Sequence, residues 1–305
     1  MKNRMKFSRM RMVVLICATM CCGNGWTASG AELTVVYTAN SFGKLRACNC
    51  PNDPYGGLAE RVTMMKELRK KESPFLLVDS GGMMSLFGQY DLRARTVMRL
   101  MNLMGYNAAG TGCYEFARGV ESAYSMGETA EFPLLSTTIA AEADSVPVFK
   151  SWVVKTVGSC TAGIISVCDS TCLIPIGSPR PKGYFFLPAE DTVRRALEEI
   201  SPRCDFIIML SSLSSTLNER MADMFPSLDL IVESNGSHII DPPEAVPHGI
   251  IVSPGDRGKF VGLITLVKNG DGTVSLKRHE LFPVLQYSED RKAHTIVMEF
   301  YDNVE

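Results

Sequence analysis

Residues 33–45 read Leu33-Thr34-Val35-Val36-Tyr37-Thr38-Ala39-Asn40-Ser41-Phe42-Gly43-Lys44-Leu45. The first six form a β-branched run that predicts a strand. A loop rich in Gly, Pro and Asn follows, through Gly57. Leu58, Val62, Met65 and Leu68 then mark one face of a helix, and Arg69, Lys70 and Lys71 suit its C-terminus. Phe75 to Val78 reads as a buried strand that runs into Asp79-Ser80-Gly81-Gly82. Val97, Leu100, Met101 and Met104 line a second helix, with Gly105 placed to cap it.

The same alternation continues. Strands are predicted over 133–138, 150–157 and 162–168, a helix over 189–200 after Pro188, and strands over 204–210 and 229–232 around a helix near 217–224. The chain closes with strands at 250–252 and 260–267, and a turn at Asn269-Gly270-Asp271-Gly272 leads into 273–281. Alternating strands and helices predict an α/β chain. The consecutive strands in the middle and at the end argue for a second sheet or antiparallel additions.

At 305 residues, 46% hydrophobic and 21% charged, the chain can bury a full-sized core. Lys2, Arg4, Lys6, Arg9 and Arg11 precede an eleven-residue apolar run, Met12 to Cys22, and small residues follow at 27–31. That order predicts an export signal over residues 1–31, cleaved near Gly30 or Ala31, and a periplasmic or secreted location. The run is too short to span a bilayer. A retained anchor is the alternative, and Cys21 and Cys22 leave a lipoprotein open. Loss of the signal's five basic residues takes the chain from 31 basic and 33 acidic residues to 26 against 33, a formal net of −7. A mildly acidic surface argues against nucleic acid or an anionic membrane as the main partner. Seven cysteines remain, Cys48, Cys50, Cys113, Cys160, Cys168, Cys172 and Cys204. Some are expected to pair in an oxidising compartment, and the odd number leaves at least one over.

Eight segments in order, VVYTANSFGKL, GGLAERVTMMKELR, LLVDSGG, LMGYNAAGTGCYEFARG, EFPLLSTT, DFIIMLSSL, LDLIVESNGS and PGDRGKFVGLITL, resemble the strand-end segments of calcineurin-like metallophosphoesterases. The branch they resemble is the N-terminal domain of 5'-nucleotidases. The resemblance implies an α/β (α+β) fold of two packed mixed sheets flanked by helices, a four-layer sandwich over residues 32–287, then a C-terminal helix within 288–305. It also implies two divalent metal ions held by Asp, His and Asn side chains at the strand-end loops, where they clamp a phosphate and ionise a water.

The residues here depart from that pattern at each motif. Asn40 and Phe42 stand for Asp and His, Gly82 for the bridging Asp, and Cys113 and Tyr114 for Asn and His. Ser212 stands for a later His, and Asn235 and Ser237 for the final pair of His. Neutral oxygens and a thiol bring no charge to offset two dications, so no metal and no cofactor is expected. Asp79 and Glu115 read as acceptors that organise loops rather than ligands. His238 lies one residue past the last motif position and reads as a surface histidine, unless a one-residue shift returns it. In the family a second domain supplying a nucleoside pocket follows the helix. Here the helix at 289–301 ends the chain, so that half is expected to be missing.

Cys48, Cys50 and Cys113 form a candidate thiol site beside the same loops, for a soft ion or for redox cycling. A staple between one of the first two and Cys113 is the plainer alternative. Cys168 and Cys172 read as a loop staple or as core thiols. The expectation is an exported, catalytically inactive phosphoesterase domain that binds an unidentified protein or small molecule. An active phosphoesterase with atypical ligands and a thiol-based protein are the alternatives.

Overall fold

Strand β1 (Ala31–Thr38) shows why the chain needs two apolar layers. Leu33, Val35 and Tyr37 point into one core and Val36 into another, as the period of two in a strand requires. The computed structural model describes residues 30–47, 54–86, 88–168, 183–285 and 290–304. The expected export signal, apart from Gly30 and Ala31, lies outside them, and Ala31 opens β1.

The first sheet has six strands, in the order β14 (Val274–Pro283), β13 (Phe260–Lys268), β1, β2 (Leu76–Asp79), β3 (Ala108–Gly110) and β4 (Leu134–Leu135). The second also has six, β11 (Ile239–Val246), β12 (Gly249–Pro254), β10 (Leu230–Glu233), β9 (Phe206–Ser211), β7 (Cys160–Val167) and β6 (Trp152–Val157). A small ribbon pairs β5 (Ile139–Ala141) with β8 (Tyr184–Phe186). Parallel pairing runs through β1–β2–β3–β4 and through β7–β9–β10–β12, with antiparallel strands at the margins.

Helices α1 (Leu58–Glu72), α2 (Tyr90–Met104) and α6 (Arg291–Asp302) cover the outer face of the first sheet. Helices α4 (Ala189–Ile200) and α5 (Ser215–Met224) cover the outer face of the second. Between the sheets Leu33, Val35, Tyr37, Phe206, Ile208 and Val232 interlock. The layers are therefore helix, sheet, sheet, helix, as expected.

Helix starts and stops follow local chemistry. Gly105 takes a left-handed φ of 71° and its N–H bonds the carbonyls of Met101 and Asn102, closing α2. The Asp290 carboxylate accepts from the N–H groups of Lys292 and Ala293 and opens α6.

The three-residue strands β3, β5 and β8 were not read from the sequence, and three further places differ from that reading. The strand expected over 133–138 is cut to Leu134–Leu135, because the backbone then crosses to the other sheet, where Thr137 N–H donates to the Ser166 carbonyl. Strand β11 was not expected, since Asp241-Pro242-Pro243 interrupts it. It sits at the sheet edge with an irregular register between Ile240 and Glu244, where proline is tolerated. Helix α3 (Val120–Thr129) was also unread, because it buries only Ala123 and Met126 and so shows almost no apolar period.

Candidate functional site

Parallel strands end at a common edge, so the loops after β1, β2, β3, β9 and β10 converge there. A cavity of about 200 Å³ lies among them, lined by Asn40, Phe42, Gly82, Gly112, Cys113, Tyr114, Ser212, Ser234, Asn235, Gly236, Ser237 and Asp256. All eight motif positions singled out from the sequence are in that set. Four lining residues were not singled out. Ser234, Gly112 and Gly236 adjoin motif residues, and Asp256 supplies the one acidic side chain among the described lining residues. The only sequence signal for Asp256 was its place in the segment before β13.

Asn40 ties three loops together. It adopts a left-handed φ of 50°, tolerable for asparagine. Its side-chain amide donates to the carbonyls of Gly236 at 3.1 Å and Gly255 at 3.2 Å. That leaves its Oδ1 against Gly82, where an added Cβ would lie 2.3 Å from it. Gly82 has φ +68° besides, so a side chain there meets both backbone strain and a collision. Phe42, also at positive φ, places its ring 5.0 Å from that of Tyr114.

The acids beneath the cavity are engaged. The carboxylate of Glu115, fully buried, accepts from the N–H groups of Met83 at 2.7 Å, Gly112 at 2.8 Å and Gly82 at 3.4 Å. Burial pushes its pKa up to about 7, against the pull of those N–H donors. Asp79 accepts from Thr38 Oγ1 at 2.6 Å and from Gly81 N–H at 2.9 Å, and burial raises its pKa too. Glu233 accepts from Asn218, Ser215 and His238, the last at 3.0 Å. The serines close on one another: Ser234 Oγ meets Ser212 Oγ at 3.0 Å and donates to the Ser80 carbonyl at 2.9 Å. His238 is half-exposed, paired with Glu233, and outside the cavity lining.

A snake venom 5'-nucleotidase from Gloydius brevicauda is 26% identical over 240 residues, 72% of this chain and 40% of that protein. The 5'-nucleotidase of Rattus norvegicus is 30% identical over 285 residues, 81% of this chain and 48% of that protein. Among solved structures, the 5'-nucleotidase precursor from Thermus thermophilus superposes with a TM-score of 0.75 at 21% identity, over 90% of this chain and 59% of that one. The chain is a relative of the N-terminal domain of the 5'-nucleotidases. Its fold is that of the calcineurin-like metallophosphoesterases. No family model matches. The chain spans less than half the length of the two curated relatives just described.

In a metallophosphoesterase the cavity is where a pair of divalent ions would sit. The donors present do not fit such a pair. Among the described residues, no three His, Cys, Asp or Glu side chains come together as a metal site. The buried carboxylates are committed to backbone N–H groups, and Gly82 cannot gain a carboxylate without displacing Asn40. Among the described residues, the cavity's own oxygens are amides and hydroxyls, with Asp256 as the single charged lining group. Neutral oxygens at that count leave two dications uncompensated.

Cys113 is disulfide-bonded, so its sulfur is not a free thiolate. Cys48 and Cys50 lie outside the described residues. Cys168 is a buried thiol and not a half-cystine, and Cys172 also lies outside.

Proposed function

We propose that the chain is an exported, catalytically inactive phosphoesterase domain, kept as a scaffold for binding. One observation carries the reading: the positions that would hold a metal pair converge on one cavity, yet among the described residues that cavity is walled by amides, hydroxyls, glycines, two aromatic rings and the disulfide-bonded Cys113, with Asp256 as its single carboxylate. Phosphoryl transfer in this fold relies on metal charge to stabilise the transferred group and to ionise the attacking water. With one carboxylate, Asp256, and no imidazole among the described lining residues to seat that charge, the cavity retains shape and hydrogen-bonding capacity but no nucleophile. Export is part of the proposal, supported by the basic and apolar order of residues 2–22.

The test is hydrolysis of AMP, NAD and bis-p-nitrophenyl phosphate by purified protein in excess Mn²⁺, Zn²⁺ or Mg²⁺, beside an Asn40→Ala, Asn235→Ala double variant. We expect turnover indistinguishable from buffer for both proteins. Activity in the parent that the double variant loses would establish the alternative, an active phosphoesterase with atypical ligands.

A further inference from the structure

We propose that the strand-end cavity is a binding site for a small, uncharged polyhydroxylated ligand, of the kind a pentose or sugar alcohol represents. This rests on the reading above that no metal pair occupies the cavity. Three features of its wall point to that chemistry.

The first is charge. Among the described residues, no Lys, Arg or His side chain lines the cavity, and its one ionisable carboxylate is Asp256. A phosphate or other anion would be desolvated there with no cation among the described lining residues to pair with it, which is unfavourable. The second is unspent hydrogen-bonding capacity. Among the described residues, the Asn235 amide, the Ser237 hydroxyl and the Tyr114 phenol make no hydrogen bond to other protein groups. Together they offer donors and acceptors of both signs, which adjacent hydroxyls on a carbon chain can match. Asp256 adds an acceptor, with the guanidinium of Arg257 at 3.7 Å. The third is the ring pair. Phe42 and Tyr114, 5.0 Å apart and inclined by 48°, form a fixed apolar wall against which the C–H face of a polyol can lie.

Size sets the limit. Pockets for drug-sized ligands run from about 300 Å³ upward, and this one is about 200 Å³. It holds one small ring and not a whole nucleotide. Gly236 and Ser237 are exposed, so the mouth opens at the loop after β10, and a group carried on the polyol could project there.

The test is calorimetric titration of the full chain with ribose, xylitol, adenosine and AMP, repeated on Asn235→Ala and Tyr114→Phe. Both variants change half-buried side chains of the cavity wall, and their melting curves confirm folding. Saturable binding of ribose or xylitol, weakened at least tenfold by Asn235→Ala and several-fold by Tyr114→Phe, supports the site. Tighter binding of adenosine than of ribose would also support it and assign the polyol to a nucleoside. Equal binding assigns it to a free sugar. No saturable heat with any of the four, affinity unchanged in Asn235→Ala, or AMP bound more tightly than adenosine overturns the proposal. Metal content and hydrolysis are read on the same preparation. A metal-free, inert protein that ignores polyols sinks this inference alone, whereas metal-dependent turnover of AMP sinks the inactive reading.

Discussion

Along β1, β9 and β10 the inward positions between the sheets are buried apolar side chains, Leu33, Val35, Tyr37, Phe206, Ile208, Leu210, Leu230 and Val232. A few residues beyond the same strands stand Asn40, Ser212 and Asn235, side chains with no apolar burial to contribute. The two regions share a backbone and differ in what constrains them. Between the sheets, each side chain is held to a volume and a face, because a lost methylene leaves a void. At the strand ends the backbone course is held instead by glycine conformations and by N–H groups pinned to buried carboxylates. Apart from Asn40, whose amide ties the loops together, the identity of the lining side chains is then free to change. Stability and chemistry are separable in this fold, and the substitutions below are arranged to test that separation.

The largest effect belongs to the core. Ile208→Ala is expected to cost about 3 kcal/mol, since Ile208 is fully buried between the sheets. Urea unfolding measures it, and a loss below about 1 kcal/mol would contradict the packing described. Gly82→Asp comes next, the substitution that restores the family's bridging acid. It should lower stability by about 2.5 kcal/mol through left-handed strain and collision with Asn40. Thermal unfolding should show it, without any metal-dependent rise in melting temperature. A variant that gained both stability and metal would show that the loop had been waiting for the acid.

Two titrations run in opposite directions. The raised pKa of Glu115 means that the folded state binds more protons than the unfolded one between the ordinary carboxylate range and about pH 7. Its contribution is therefore fully present at low pH and declines as pH rises through about 7, by about 2 kcal/mol between pH 5 and 7. Glu115→Gln should flatten that part of the stability curve, and an unchanged slope would exclude the assignment. His279 is the smaller case. Its ring accepts from or donates to Tyr37 Oη at 2.7 Å, and burial lowers its pKa against the pull of Asp241. The unfolded state then binds the extra proton, so stability falls as pH drops through the usual histidine range. With solvent screening we expect less than about 1 kcal/mol, removed in His279→Gln.

The strand and helix order was legible because apolar period is a local signal. The α4 range agrees residue for residue with the sequence reading, and most strands agree to within two or three residues. What the sequence hid was set by tertiary context. Strand β11 holds two prolines that a sheet edge accommodates, and β4 stops where Ser136 N–H crosses to the Lys150 carbonyl. The site residues were legible as positions, through glycine and strand-end spacing, and they meet in one cavity. Their geometry was not legible. Nothing in the sequence shows that Asn40 turns its amide toward Gly236 and Gly255, or that Asp256 joins the wall from the loop before β13. Those contacts join segments nearly two hundred residues or more apart, which no local pattern encodes.

The separation of scaffold from chemistry is tested most directly by titrating metal-stripped protein with Mn²⁺ and Zn²⁺ and reading bound metal per chain after dialysis. The account predicts no retained pair and no shift in the melting temperature. Two ions per chain held at micromolar concentration, and lost when Asn40 and Asn235 are replaced by alanine, would contradict it.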